Sequence, residues 1–293
     1  MFLQSIPFLG YPPTAHIAGN RLQFGDSAKD QTPLTSIAGK WGVIEEKLDG
    51  ANAGLSFGEG GDLRLQSRGH YLLGGWNERQ FALFKTWARA HEDRLLALLE
   101  DRYTLFGEWL HAKHSIWYDC LPHLLAEFDI WDRSRQIFLS TTARRSLLAG
   151  SPVLSVPVLY EGPMPGDLRQ LLALVKPALA KSTNWRVRLR DAIARAGMPM
   201  ELTLKQTDQS DLAEGLYIKV EDEHQVLGRY KLVREDFTQT ILDSGSHHAR
   251  RPILPNQLHP DADLFAPCPS VTWEDLGLQT VHSLASRPAR GRN

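Results

Sequence analysis

The stretch that most constrains this chain is GVIEEKLDGANAGLSF, residues 42–57. Val43 and Ile44 are strand formers. They lead into Glu45, Glu46 and Lys47, and Asp49-Gly50 follows, a dipeptide that turns a chain because Gly tolerates φ > 0. Residues 51–57 read as a second strand. Lys47 is therefore expected at the end of a strand beside a tight turn, where a rigid backbone holds one side chain in one place. That suits a nucleophile. It equally describes a hairpin with a surface lysine, so partners further along the chain must decide.

Composition narrows the classes. The chain has 293 residues, is 42% hydrophobic and 23% charged, and carries a formal net charge of -1, ordinary for a globular protein of one large domain or one large and one small. The balance does not advertise nucleic-acid binding, yet leaves room for a local basic groove. Cys120 and Cys268 are the only cysteines. Two cannot build a disulfide framework or a zinc site alone, which fits a reducing cytoplasm. The opening MFLQSIPFLGYPP lacks a basic lead and is broken by Pro and Gly, unlike a signal peptide. No apolar run is long enough to span a bilayer, so no membrane partner is expected.

Residues 1 to about 35 show no sustained period and are expected to form an irregular arm with one short strand; His16, Asn20 and Arg21 lie there in a solvated loop. After the strands flanking Lys47, Gly58 to Gly61 signals a turn and residues 62–68 alternate as a third strand, giving an antiparallel meander. Residues 77–99 place Phe81, Phe84, Trp87, Ala88, Leu95, Leu98 and Leu99 at helical spacing, so one or two amphipathic helices pack on that sheet. Residues 103–110 form a strand with Glu108 near its end. His111, His114 and His123 follow; without a carboxylate or cysteine cluster, a packed or substrate-facing loop accounts for them better than a metal site. Residues 125–132 are a strand paired with 136–139, and a helix with a hydroxyl N-cap opens at Thr141. From about 150 to 212, short strands alternate with helices at 167–175 and 185–196. The second carries Arg186, Arg188, Arg190 and Arg195, a solvated face more often than a phosphate contact. Residues 214–221 and 226–234 form a strand pair, and 235–242 a closing helix. The remainder is rich in Pro, Ser and His.

Five ordered elements now align: Lys47-Leu48-Asp49-Gly50, Ser67-Arg68-Gly69, Phe106-Gly107-Glu108, Glu127-Phe128-Asp129-Ile130, and the pair EGLYIK (214–219) with Arg229-Tyr230-Lys231. Together they resemble the motifs of the covalent nucleotidyltransferases, which include ATP-dependent DNA ligases, RNA ligases and mRNA capping enzymes. The resemblance runs from residue 41 to 234, interrupted at about 133–212. Asn52, two residues after the glycine, resembles the RNA ligases, in particular the group of the second phage RNA ligase, where the other branches usually carry arginine. About 60 residues follow Lys231, which barely fits a five-stranded OB-fold, and their prolines oppose central strands. The implied fold is α+β: an antiparallel-sheet nucleotidyltransferase (ATP-grasp-like ligase) core with packed helices, a short C-terminal appendage and no OB-fold. The expected organisation is an adenylyltransferase domain over 1–242 with an α/β segment inserted at about 133–212, then a partly irregular extension over 243–293.

What the resemblance implies is an ATP-dependent RNA ligase. Lys47 would attack the α-phosphate of ATP to give lysyl-AMP. The AMP would pass to the 5′-phosphate of an RNA, and a 3′-hydroxyl would then displace it. An end-healing kinase or phosphatase is an implied partner. A lysine nucleophile must be neutral to attack, against a free pKa of about 10.4; burial and the charges of Lys219 and Lys231 would depress it and hold the phosphate. Glu108 and Glu214 supply hard oxygens for Mg²⁺ or Mn²⁺. The implied nucleotide contacts are Glu46 near the adenine, Phe128 stacked on it, Arg68 and Glu108 at the ribose or phosphates, with Asp49, Gly50 and Arg229; Asn52 would face the strands being joined. One position departs from the group: its Lys-x-Lys reads Arg229-Tyr230-Lys231 here, which changes the geometry of any phosphate contact at 229. A DNA ligase or GTP-dependent capping guanylyltransferase shares the core motifs, and a catalytically inactive nucleotide- or RNA-binding module is the reading from another class.

Overall fold

In a computed structural model, which describes residues 8–18, 31–237 and 252–283, the two apolar runs beside Lys47 become strands β3 (Trp41–Lys47) and β4 (Ala51–Phe57). They do not pair with each other. β3 belongs to a seven-stranded sheet and β4 to a six-stranded one. The expected meander is thus only half present: β4 pairs antiparallel with β5 (Leu63–Ser67), while β3 leaves for the other sheet. The cause is in the three-residue link. Asp49 Oδ2 accepts the backbone N–H groups of Ser115 (2.7 Å) and Ile116 (2.6 Å), and the Asp49 N–H donates to the Tyr118 hydroxyl (2.9 Å). Gly50 N–H donates to Glu108 Oε1 at 2.9 Å. Gly50 is not among the positive-φ glycines. What the site requires of it is space, since a Cβ there would lie 2.7 Å from the Trp109 carbonyl oxygen and 2.9 Å from the Leu110 side chain.

The first sheet runs β13-β10-β3-β11-β12-β1-β2, with β13 Val281–His282, β10 Val158–Pro163, β11 Gly215–Glu221, β12 Val226–Val233, β1 Ala15–Ile17 and β2 Gln31–Thr32. Its central pairs, β10·β3, β3·β11 and β11·β12, are antiparallel, and its outer pairs are parallel. The second sheet runs β5-β4-β6-β7-β8 with antiparallel pairing throughout, where β6 is Tyr103–Trp109, β7 Leu125–Asp132 and β8 Ile137–Phe138; β9 (Leu154–Ser155) adds to β7 in parallel.

Each sheet has one apolar face. On the first, Ile44, Leu216, Ile218, Leu232 and Ile17 pack with Met164 and with Leu171 of helix α4 (Leu168–Leu172). On the second, Ala53, Leu55, Phe57 and Trp109 pack against helices α1 (Ala82–Ala90) and α2 (Glu92–Leu99) through Phe84, Trp87, Leu95 and Leu99. Each large side chain buried this way contributes about 1.5–3 kcal/mol. Strand residues alternate between faces, so the other faces, with Glu45 and Lys219 on the first sheet and Phe106 and Glu108 on the second, look toward each other across a cleft that Lys219 and Arg144 bridge.

Helix α3 (Thr141–Leu148) is capped by Ser140, whose hydroxyl accepts the Ala143 N–H. It delivers Arg144 into the space between the sheets. Helices α5 (Trp185–Arg195) and α6 (Met200–Lys205) place Trp185, Leu189 and Ile193 against Trp117 and Leu254; α6 is one short turn that periodicity does not reveal. The closing helix begins at residues 235–237, and its expected remainder lies outside the described residues, as do Asn20 and Arg21. Residues 252–283 follow no helical period but pack tightly: Trp273 donates its indole N–H to the Ser155 carbonyl (2.8 Å), and β13 edges the first sheet beside β10. Among the described residues no helix is long and apolar enough to cross a membrane.

Candidate active site

Lys47 ends β3 at the mouth of the cleft. Its Nζ donates to Glu214 Oε2 at 2.7 Å, with the lysine side chain 24% exposed and the glutamate 4%. Glu214 directly precedes β11, whose Gly215 is opposite Lys47 in register. Glu108, near the end of β6, is held by the Gly50 N–H. Burial pushes the Glu108 carboxyl up to about 7, with Glu214 and Asp49 adding to the effect and Lys47 opposing it. Burial also raises Glu214 to about 7, against the pull of Lys47 and Lys231. Burial alone would lower the Lys47 pKa, but Glu214, Glu108 and Asp49 outweigh it and leave the ammonium above its ordinary value. That corrects the expectation of a depressed lysine: in the ligand-free chain its near neighbours are acids, not cations.

Lys219 is the reason. It is opposite Val43, four positions along the ladder from the Lys47–Gly215 pair. There it is fully buried, 2.9 Å from Glu45 and 3.3 Å from Asp129, and it donates to the Phe128 carbonyl. It neutralises a second cluster. Arg144 binds Glu127 at 2.7 Å and Glu45 at 2.6 Å, with all three side chains at most 1% exposed. Arg229 lies 3.6 Å from Asp129 and stacks on Phe138 at 3.9 Å from the ring centroid.

Beside this network lies an aromatic slot. Phe128 and Tyr217 have ring centroids 6.3 Å apart and planes inclined by 32°. Tyr11, from the N-terminal arm, sits 5.0 Å edge-on to Phe128; its hydroxyl donates to Asp129 and lies 2.6 Å from the Tyr217 hydroxyl.

The structure therefore gathers Lys47, Asp49, Gly50, Glu108 and Glu214 at the cleft mouth, with Lys231 near enough to act on Glu214, and Phe128, Lys219 and Arg229 deeper in. Asn52 is opposite Glu108 in register, its buried Oδ1 without a partner among the described residues. One residue falls elsewhere. Glu46 pairs with Leu216 on the opposite sheet face; it is buried there beside Leu179 and Lys181, and burial raises its carboxyl to about 8. Arg68 is exposed just past the end of β5, whose last residue Ser67 is opposite Ala53, so it continues the register toward Asn52. His123 is buried in the packed loop, where the Leu125 N–H donates to its Nδ1 (3.0 Å) and burial lowers its pKa to about 4. Sequence reasoning missed Glu45, although its place two residues before Lys47 puts it on the same strand face. It also missed Tyr11, Tyr118 and Arg144, whose roles depend on contacts far apart in sequence.

Among the described residues no group of three His, Cys, Asp or Glu side chains is placed to hold a metal. Glu108 and Glu214 are a hard-oxygen pair with raised pKa values flanking the lysine. They fit a divalent cation that completes its shell with waters and phosphate oxygens.

The fold is thus α+β, two largely antiparallel sheets facing each other with Lys47 between Glu214 and Glu108 at one end of the seam. A family model described as RNA ligase matches residues 42–233, well over half of the sequence, and the chain belongs to the RNA ligase family. Solved structures of Naegleria gruberi RNA ligase are also similar. A variant with ATP and Mn is 18% identical with a TM-score of 0.47, covering 80% of this chain and 64% of that one. A variant with AMP and Mn is 18% identical at 0.49, covering 78% and 62%, and the ligase with PPi is 18% identical at 0.48, covering 81% and 64%. The chain thus spans somewhat under two thirds of the length of those proteins. A comparison with curated proteins finds no match.

Proposed function

We propose that the chain is an ATP-dependent RNA ligase acting through a lysyl-AMP intermediate. The observation that carries this reading is Lys47, solvent-reachable at the end of β3 and flanked by Glu214 and Glu108, at the mouth of a cleft whose interior holds the Phe128–Tyr217 slot. The adenine enters that slot. Lys47 Nζ, once deprotonated, attacks the α-phosphorus; a nitrogen–phosphorus bond forms and pyrophosphate leaves. The AMP then passes to the 5′-phosphate oxygen of an RNA, freeing Lys47, and a 3′-hydroxyl displaces AMP to form the phosphodiester.

The acids around Lys47 explain why the resting enzyme keeps its nucleophile protonated. Glu108 and Glu214 would hold a divalent cation, which would supply positive charge at the α-phosphate, and Glu214 would then be shared between that cation and Lys47. Lys231 adds a cation on the same side of the cleft, facing the phosphates. Lys219 acts at one remove, holding Glu45, Asp129 and the Phe128 backbone, and so shapes the slot. Asn52, beside Glu108, offers an unpartnered acceptor to the strands being joined.

The test is incubation with α-labelled ATP and Mg²⁺ or Mn²⁺, followed by nicked or single-stranded RNA bearing 5′-phosphate and 3′-hydroxyl ends, with matched DNA and with GTP as controls. Acid-stable label on the protein, lost in Lys47→Ala, and its appearance at RNA 5′ ends are expected. Protein labelled only by GTP, or joining only of DNA, would point to the sister activities. ATP binding without pyrophosphate release would point to an inactive module.

A further inference from the structure

The Leu48-Asp49-Gly50 link joins two sheets without belonging to either, so no strand ladder fixes it. Its position depends on the loop at 110–121, through the Ser115 and Ile116 N–H groups and the Tyr118 hydroxyl, and on Glu108. That loop has no regular structure of its own. It is held by the C-terminal stretch 254–259, which lies along it like a strap. Lys113 N–H donates to the Leu254 carbonyl (2.9 Å), Asn256 N–H to His111 (2.8 Å), Gln257 N–H to Tyr118 (2.9 Å), and Leu121 N–H to Gln257 (2.9 Å). The Trp117 indole N–H donates to the Pro255 carbonyl at 3.0 Å.

Asn256 is the centre of the strap and is buried. Its Nδ2 donates to the Leu110 carbonyl (2.7 Å), and its Oδ1 accepts the Tyr118 N–H (2.9 Å). A side-chain amide donates from its nitrogen and accepts at its oxygen, so one residue makes both bonds. Asn256 thus ties the first residue of the loop to the residue whose hydroxyl receives the Asp49 N–H.

We propose that Asn256, acting through Tyr118, is a positioning residue for Lys47: the strap fixes the loop, the loop fixes the Asp49-Gly50 link, and the link fixes the line along which the lysine meets the α-phosphate. This rests on the ligase reading above. Nucleophilic attack requires reacting atoms held about 3–3.5 Å apart and aligned, and a displacement of about 1 Å can cost up to a hundredfold in rate. Neither Asn256 nor Tyr118 touches the nucleotide in this account, so binding and chemistry should separate.

The experiment is single-turnover formation of the labelled lysyl-AMP across ATP concentrations in the full chain. Tyr118→Phe keeps the ring in the core and removes the acceptor for the Asp49 N–H. It should lower the maximal rate about tenfold, with half-saturating ATP and melting temperature near wild type. Asn256→Ala should show the same split, and the double variant should be no slower than Asn256→Ala, because the two act in series. Should Asn256→Ala fail to fold, Tyr118→Phe alone carries the test. Wild-type rate constants in Tyr118→Phe, or a double variant slowed by the product of the single effects, would overturn the proposal. A wild-type chain that takes no label would remove the ligase reading and this one with it.

Discussion

Lys47, the proposed nucleophile, is held in its protonated form. Lys47 is paired with Glu214 and surrounded by acids, and two of those acids, Glu108 and Glu214, sit at about 7 because burial disfavours their charge. A carboxyl at about 7 in the folded chain, against 4.5 as its ordinary value, holds its proton more tightly folded than unfolded. That contribution to stability is complete below about pH 4.5 and is lost as pH rises through about 7. Glu108→Gln keeps an oxygen for the Gly50 N–H and never ionises. It should therefore melt with the wild type near pH 5 and above it at pH 8; equal melting temperatures at both pH values would argue against a buried, strained carboxylate. Phe128 allows a second prediction. A base stacked on an aromatic ring gains about 1–3 kcal/mol, so Phe128→Ala should raise half-saturating ATP by the corresponding factor, read by titrating lysyl-AMP formation. An unchanged ATP dependence would mean that the base binds elsewhere. The residues most readable from sequence were those set by strand position alone, such as Lys47, Glu108 and Glu214. Glu46 is opposite Leu216, on the other strand face from Lys47, because neighbours in a strand alternate between faces.

At the level of elements, α3 is pinned between the sheets by charge. Arg144 bridges Glu45 of β3 and Glu127 of β7, and all three are buried. Removing one member of such a cluster leaves uncompensated charge and typically costs about 3–5 kcal/mol, so Arg144→Met should lower the unfolding free energy obtained from urea titration by that amount. A shift of under about 1 kcal/mol, the range of exposed pairs, would show the network to be solvated. The individual strands and helices were legible because alternation and helical spacing are local signals: β7, β11 and α5 fall close to where the pattern puts them. Which sheet a strand joins was not legible. β3 and β4 are three residues apart, yet the bonds that separate them come from residues 108–118.

Across the whole molecule, the C-terminal residues look like a loose tail in sequence, rich in Pro and without period. In the structure they span both sheets, from Asn256 on the 110–121 loop to Trp273 on Ser155 and β13 at the sheet edge. Their bonds are largely backbone-mediated and join residues more than a hundred positions apart, a signal that composition cannot carry. Deleting residues 252–283 would uncover the Trp117–Trp185 cluster and break the strap. The shortened chain should lose the single cooperative unfolding transition of the full one and bind a hydrophobic dye; a sharp, unchanged transition would contradict the packing described here. In the proposed reaction the two sheets place one lysine amine, that of Lys47, against an α-phosphate. The most direct test is mass spectrometry of the peptide bearing Lys47 after incubation with ATP and a divalent cation. The account predicts one AMP on Lys47, released when 5′-phosphorylated RNA is added. AMP on another side chain, or none on a folded chain that binds ATP, would contradict it.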